Sequence, residues 1–254
     1  MLDAVLISDL HLGSESCQVE SIHDFLDSLP TTARLILNGD VLENTEYRLT
    51  KQHWRVLSLL RKLADQLELV WVRGNHDYDA ESVAHLIGAN FVPEYTFESG
   101  GRRVLCVHGD AWDRFLTDHP LITNIADWFY LRMQRWSRRL ANRAKRSSKT
   151  FLRCVDRVRA EAIEYGRAKR ADVIICGHTH FAEETEQPSV MIPAYYNTGC
   201  WTDHHCHYLT AQEGCFQLAE VHATAFLPAE ATIRRADTEK RMFVSQRCEG
   251  TLRR

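Results

Sequence analysis

No apolar run in the 254 residues approaches the roughly 18 that a membrane-spanning helix needs. The eight cysteines form no CxxC pair, and several sit inside apolar runs, as buried reduced thiols do rather than the staples of a disulfide framework. Six prolines and twelve glycines leave no room for a long low-complexity linker. A formal charge of −3 gives no overall attraction to nucleic acid or membrane, so any such attraction must be local. The opening MLDAVLISDL lacks a basic stretch and meets an aspartate at once, which does not read as a signal peptide. A cytoplasmic protein is expected.

What is present is an ordinary globular composition, 44% hydrophobic and 26% charged, in a chain long enough for one sizeable core. Short Val/Ile/Leu-rich runs recur at Ala4–Ser8, Arg34–Leu37, Leu67–Val72, Val104–Val107 and Val173–Cys176. Each has strand length and the unbroken apolar character of a strand buried on both faces. Helical periodicity fills the intervals at about Val19–Leu29, Leu49–Leu67 and Glu81–Ile87. Strand–helix alternation of this kind predicts an α/β fold, sheets covered by helices. The stretch from about 112 to 169 is too long for one connection. It reads as a helical insertion, aromatic at first and strongly basic from Arg132 to Arg159, where Asp156 is the only acid. A charged tail is expected over about 228–254. One domain, 1–254, carries all of this.

Five polar clusters follow the five apolar runs. They are Asp9-Leu10-His11, Gly39-Asp40, Gly74-Asn75-His76-Asp77, His108-Gly109-Asp110 and Gly177-His178-Thr179-His180. In an open α/β sheet, ligands bind beyond the carboxyl ends of the strands, so the fold can gather clusters that span some 170 residues. Mixed carboxylate and imidazole donors without cysteine suit Mn²⁺, Fe or Zn²⁺ better than Ca²⁺ or a structural zinc. Any one cluster alone reads as a turn or cap. Five in order, each after a strand, are hard to obtain by chance.

The order Asp-x-His, Gly-Asp, Gly-Asn-His-Asp, His, Gly-His-x-His resembles the calcineurin-like metallophosphoesterases from Asp9 to His180, and no ligand position departs from the pattern. The resemblance implies a β-sandwich flanked by helices and two divalent ions, Mn²⁺ foremost. It implies that Asp9, His11, Asp40 and His180 hold the first ion and Asp40, Asn75, His108 and His178 the second, with Asp40 bridging. His76 would then contact the phosphate and assist the leaving group, oriented by Asp77. Two cations about 3.5–4 Å apart polarise phosphoryl oxygens and supply a bridging hydroxide near neutral pH.

The insertion, together with the segment Tyr195-Tyr196-Asn197-Thr198-Gly199-Cys200-Trp201, is similar to the UDP-2,3-diacylglucosamine pyrophosphatase branch, which cleaves a lipid-linked nucleotide sugar in lipid A synthesis. That reading places substrate contacts at Arg132, Arg135, Arg139, Arg143, Lys149 and Asn197, and peripheral contact with the inner membrane through the basic helices. The rival readings are a phosphomonoesterase or phosphodiesterase on another substrate, a nuclease using the basic face, and a metal-binding scaffold without catalysis. Phosphorylated small molecules or lipid-linked substrates are the expected partners ahead of nucleic acid. His204, His205, Cys206 and His207 read as a loop or strand start, with a third metal site as the lesser alternative.

Overall fold

The computed structural model describes residues 1–44, 48–113, 149–185, 189 and 191–221. The chain divides into Met1–Glu220 and Val221–Arg254. The second unit, with the tail expected at about 228–254, lies outside the described residues except for Val221.

The first unit is built on two sheets. One is six-stranded, in the order β11-β10-β1-β2-β3-β4. Its members are β1 (Ala4–Ile7), β2 (Arg34–Asn38), β3 (Glu68–Val72), β4 (Asn90–Val92), β10 (His207–Gln212) and β11 (Cys215–Glu220). Strands β1 to β4 run parallel, and β10 and β11 extend the sheet antiparallel. The other sheet has the order β5-β6-β7-β9-β8, from β5 (Tyr95–Ser99), β6 (Arg102–Cys106), β7 (Val173–Cys176), β8 (Glu183–Thr185) and β9 (Ala194–Asn197). Its three central strands are parallel.

Side chains alternate across a strand, so each sheet buries two sets of residues. Ala4, Leu6, Ile36, Val70 and Val72 of the first sheet meet Val104, Cys106, Val173 and Ile175 of the second in one core between the sheets. The intervening residues Val5, Ile7, Leu35 and Leu37 face the other way and are also fully buried. Two helices, α1 (Val19–Asp27) and α2 (Lys51–Leu63), pack together and bury Ile22, Phe25, Leu26, Val56, Leu57 and Leu60. Phe25 meets Tyr208 of β10. Each such side chain is worth about 1.5–3 kcal/mol relative to exposure. A short helix, α3 (Glu81–Leu86), leads into β4. All five apolar runs named above are parallel strands, within a residue or two of the expected bounds. The mixed α/β fold expected from the sequence is the fold observed.

Of the stretch from about 112 to 169, the structure describes only the two ends. Residues Lys149–Ala168 form α4, which packs on β7 and β9. Val155, Val158 and Ala162 are buried at three- and four-residue spacing, and Ala162 joins Ile174 and Tyr195 in a second core. This helix is therefore a layer of the sandwich, and its exposed face mixes Arg153, Arg157 and Arg167 with Asp156, Glu161 and Glu164. The middle of the segment, 114–148, with Arg132, Arg135, Arg139 and Arg143, lies outside the described residues, as does the Lys149 side chain. No described helix is long and apolar enough to cross a membrane.

Candidate metal centre

The carboxyl ends of β1, β2, β3, β6 and β7 lie along one edge of the sandwich, and Asn38 at the end of β2 fastens that edge. Its Nδ2 donates to the carbonyls of Val107 and Ile175, at 3.1 and 3.2 Å, so one buried amide ties the first sheet to two strands of the second. The loops after β1 and β2 continue as a parallel ladder. Asp9, His11 and Leu12 donate from their backbone N–H to Gly39, Asp40 and Val41, and Glu43 donates back to Leu12. Along this edge five non-glycine residues have positive φ: Asp9 (56°), His11 (48°), Asp40 (53°), His178 (65°) and His180 (58°). Left-handed backbone costs about 1–2 kcal/mol at such a residue and persists where the surroundings over-determine it. All five are expected metal ligands.

Two donor sets converge there. Ligand atoms of Asp9, His11 and His180 lie within 4.8 Å of one another, as do those of Asp40, His108 and His178. Asp40 Oδ2 sits 3.2 Å from His108 Nε2 and 3.8 Å from His11 Nε2, so a single oxygen faces both sets. Its other oxygen accepts from the backbone N–H of His76 at 2.9 Å. Asn75 Oδ1 reaches His178 Nδ1 at 3.1 Å, which brings the amide to the second set. Space for this crowding comes from glycine. A Cβ on Gly74 would overlap Asp40 Oδ1, and one on Gly177 would stand 2.5 Å from Asp9 Oδ2.

Each ligand imidazole is held by an outer partner, the arrangement that fixes which nitrogen faces a metal. His11 Nδ1 meets Glu43 Oε2 at 2.8 Å, His108 Nδ1 donates to the Asn38 carbonyl at 3.0 Å, and His178 Nε2 meets Asp113 Oδ2 at 3.1 Å. The Cys200 side chain lies beside His180 and helps to raise its imidazole above the usual value. Glu43, Asp113 and Cys200 escaped the sequence reading. Glu43 follows Asp40 by three residues, and its acidic character was the one available signal. For Asp113 and Cys200 spacing offers none.

The charges are mutually dependent. Burial opposes ionisation of Asp9, but His180 and then His108 hold its carboxyl below the ordinary range. Asp40 is likewise buried, yet His108, His11 and His76 hold it well below. In the opposite sense, burial disfavours the charged form of His108, and the Asp40 carboxylate outweighs it and raises the imidazole above its usual value. His108 Nε2 is nonetheless buried with no hydrogen-bond partner among the described residues. A buried imidazole nitrogen without a hydrogen bond, aimed at a carboxylate between two donor sets, fits a divalent cation. The residues present therefore fit two metals: Asp9, His11, Asp40 and His180 could hold one, and Asp40, Asn75, His108 and His178 the other.

Two expected roles are not where the sequence placed them. Asp77 does not turn toward His76. It is buried, and its carboxylate accepts from the backbone of Val41, Leu42 and Gly74 and from Trp71 Nε1, all at 3.0–3.1 Å. His76 is oriented by the carbonyl of Glu43, to which its Nδ1 donates at 2.8 Å, and its ring stands edge-on to His11 with centroids 4.8 Å apart. Asn197 is fully buried and does not face a substrate. Its Nδ2 donates to the Gly177 carbonyl and Thr179 Oγ1, and its Oδ1 accepts from Gly199 N–H, so it braces the loop that carries His178 and His180. His205 meets Glu220, and no metal-sized donor set includes His204, His205, Cys206 or His207 among the described residues.

A search of curated proteins finds no match to this chain. Among solved structures, the chain is similar to an archaeal phosphodiesterase, at 10% identity and a TM-score of 0.47, over 86% of this chain and 99% of that one. It is similar also to a predicted phosphoesterase from Streptococcus pneumoniae (13% identity, TM-score 0.40, 86% and 97% covered). A third is Vps29 in complex with zinc from Entamoeba histolytica (15% identity, TM-score 0.41, 87% and 98% covered). The sequence profile for calcineurin-like phosphoesterases matches residues 3–182, which contain every cluster described above, and the chain belongs to that family.

Proposed function

We propose that the protein is a dinuclear-metal hydrolase of phosphoester or pyrophosphate bonds, with Mn²⁺ as its ion. The observation that carries this is Asp40 Oδ2, which faces both donor sets while the buried His108 Nε2 stands beside it without a hydrogen bond. When bound, the ions would polarise phosphoryl oxygens and lower the pKa of a water. The protein's own contribution is positional. Glu43 fixes His11 through its carboxylate and His76 through its carbonyl, which sets the two rings edge to face. With Nδ1 donating to Glu43, His76 presents Nε2 to the leaving oxygen, where a proton donor contributes about 10²–10⁴ in rate.

Purified, Mn²⁺-loaded protein should hydrolyse bis(p-nitrophenyl) phosphate. The Asp40→Ala variant should lose bound metal and activity together, while His76→Ala should keep the metal and lose at least about a hundredfold in kcat. Wild-type turnover in His76→Ala would end its assigned role.

The finer reading is a nucleotide-sugar pyrophosphatase of the UDP-2,3-diacylglucosamine type, working at the inner membrane. It is supported by the likeness of the 112–169 segment and of Tyr195–Trp201 to that branch. Arg132, Arg135, Arg139, Arg143 and Lys149 remain its proposed substrate contacts. UDP-2,3-diacylglucosamine in detergent micelles should turn over faster than its deacylated counterpart, phosphomonoesters or single-stranded DNA. Equal rates would remove this substrate and leave the general hydrolase.

A further inference from the structure

Beside the metal centre lies a cavity of about 570 Å³ between the loop after β2, the start of α2 and α3. That is an ordinary size for a small-molecule site. Its lining includes Leu42, Asn44, Arg48, Lys51, Trp54 and Val83. Glu43, which holds both His11 and His76, sits in the chain between two of these residues, so the wall of the cavity and the wall of the centre are one loop. Resting on the phosphoesterase reading, we propose that this cavity is a substrate subsite for the group beyond the scissile phosphate: an aromatic ring carrying a further negative charge, as in a nucleotide.

Three features support the assignment. Trp54 is 58% exposed, although large aromatic rings are mostly covered. The buried face of α2 consists of His53, Val56, Leu57 and Leu60, so the helix does not need the Trp54 ring for its packing. An indole face at a cavity wall is a stacking platform for any base. Arg48 and Lys51 are exposed and form no ion pair with a described residue. Two exposed cations beside an exposed ring, in a chain of net charge −3, concentrate positive charge where a second phosphate would lie.

The test is binding of AMP to the Mn²⁺-loaded full chain, read by calorimetry and by quenching of tryptophan emission, with ribose 5-phosphate as the probe that lacks a base. AMP should bind about tenfold more tightly than ribose 5-phosphate. Trp54→Ala should abolish that difference and Trp54→Phe should restore part of it. Arg48→Ala combined with Lys51→Ala should weaken both probes about tenfold. In parallel, kcat/KM for ADP-glucose relative to bis(p-nitrophenyl) phosphate should fall about tenfold in Trp54→Ala, while Met191→Ala, at an exposed residue outside the cavity lining, keeps the wild-type ratio. Equal binding of the two probes by wild-type protein, or AMP affinity untouched in Trp54→Ala, overturns the subsite. Failure of the wild-type protein to hydrolyse bis(p-nitrophenyl) phosphate overturns the hydrolase reading instead, and the binding data still decide the subsite.

Discussion

Asp77 shows how a residue next to a reactive one can serve a different end. Its carboxylate gathers four N–H donors from three segments: the loop after β2, the loop after β3, and Trp71 within β3. Burial pushes its carboxyl above the ordinary range, while the hydrogen bonds oppose that shift. Replacement by alanine would leave those donors buried and unsatisfied, at about 1–3 kcal/mol each before relaxation. Asp77→Ala should therefore lose about 3 kcal/mol or more in urea unfolding, with Asp40 and His76 displaced together. A loss under about 1 kcal/mol would show that water or neighbouring groups replace the carboxylate. Adjacency to His76 suggested a different job in the sequence, because chain neighbours after a strand can point to opposite sides and the sequence does not say which.

At the scale of elements, the five ligand-bearing strands were legible because each is buried on both faces and reads as an unbroken apolar run. Strands β10 and β11 were not. Only β10 has the clear buried-and-open alternation of Leu209 and Ala211, and β11 is partly exposed along its length. In helix α4 the arginines are conspicuous in the sequence, whereas the residues that place it on the sheet are Val155, Val158 and Ala162. The ligands could be read from motifs, but their outer partners could not. Glu43, Asp113 and Cys200 reach their imidazoles through loop geometry that exists only after the sheets have paired. Asn38 is the clearest inter-element fastening. Asn38→Leu keeps the bulk but leaves the carbonyls of Val107 and Ile175 without their donor, which should cost about 2–4 kcal/mol. Because His108 follows Val107, the variant should also bind Mn²⁺ less tightly, measurable by titration calorimetry. Unchanged affinity with full loss of stability would separate the fastening from the site.

For the molecule as a whole, the core is rich in thiols. Cys106, Cys176 and Cys206 are buried, and burial raises each above the ordinary thiol value of 9.0. Tyr95, raised first by burial and then by its bond to Glu68, reaches about 12. A raised value in the folded state means that the native protein holds protons that the unfolded chain releases. The stability linked to them is complete below about pH 9 and is lost as pH climbs through the folded values. Each thiol contributes a slope of about 1.4 kcal/mol per pH unit in that window. Urea midpoints under reducing conditions should therefore fall between pH 9 and 11, and Cys106→Ala should fall less steeply. A flat profile would contradict the linkage.

The left-handed backbone at Asp9, His11, Asp40, His178 and His180 has a consequence for metal selection. These residues are held by the ladder between the β1 and β2 loops and by the braces from Asn38 and Asn197, all of them bonds within the chain. The donors are thus in place before any ion arrives. A chelated sample should retain its circular dichroism and lose only a few degrees of thermal stability. An incoming ion must accept the spacing it finds, so ions of unlike radius would be ranked by misfit rather than by the usual order of affinity, and the supply of each in the cell would decide among those that fit.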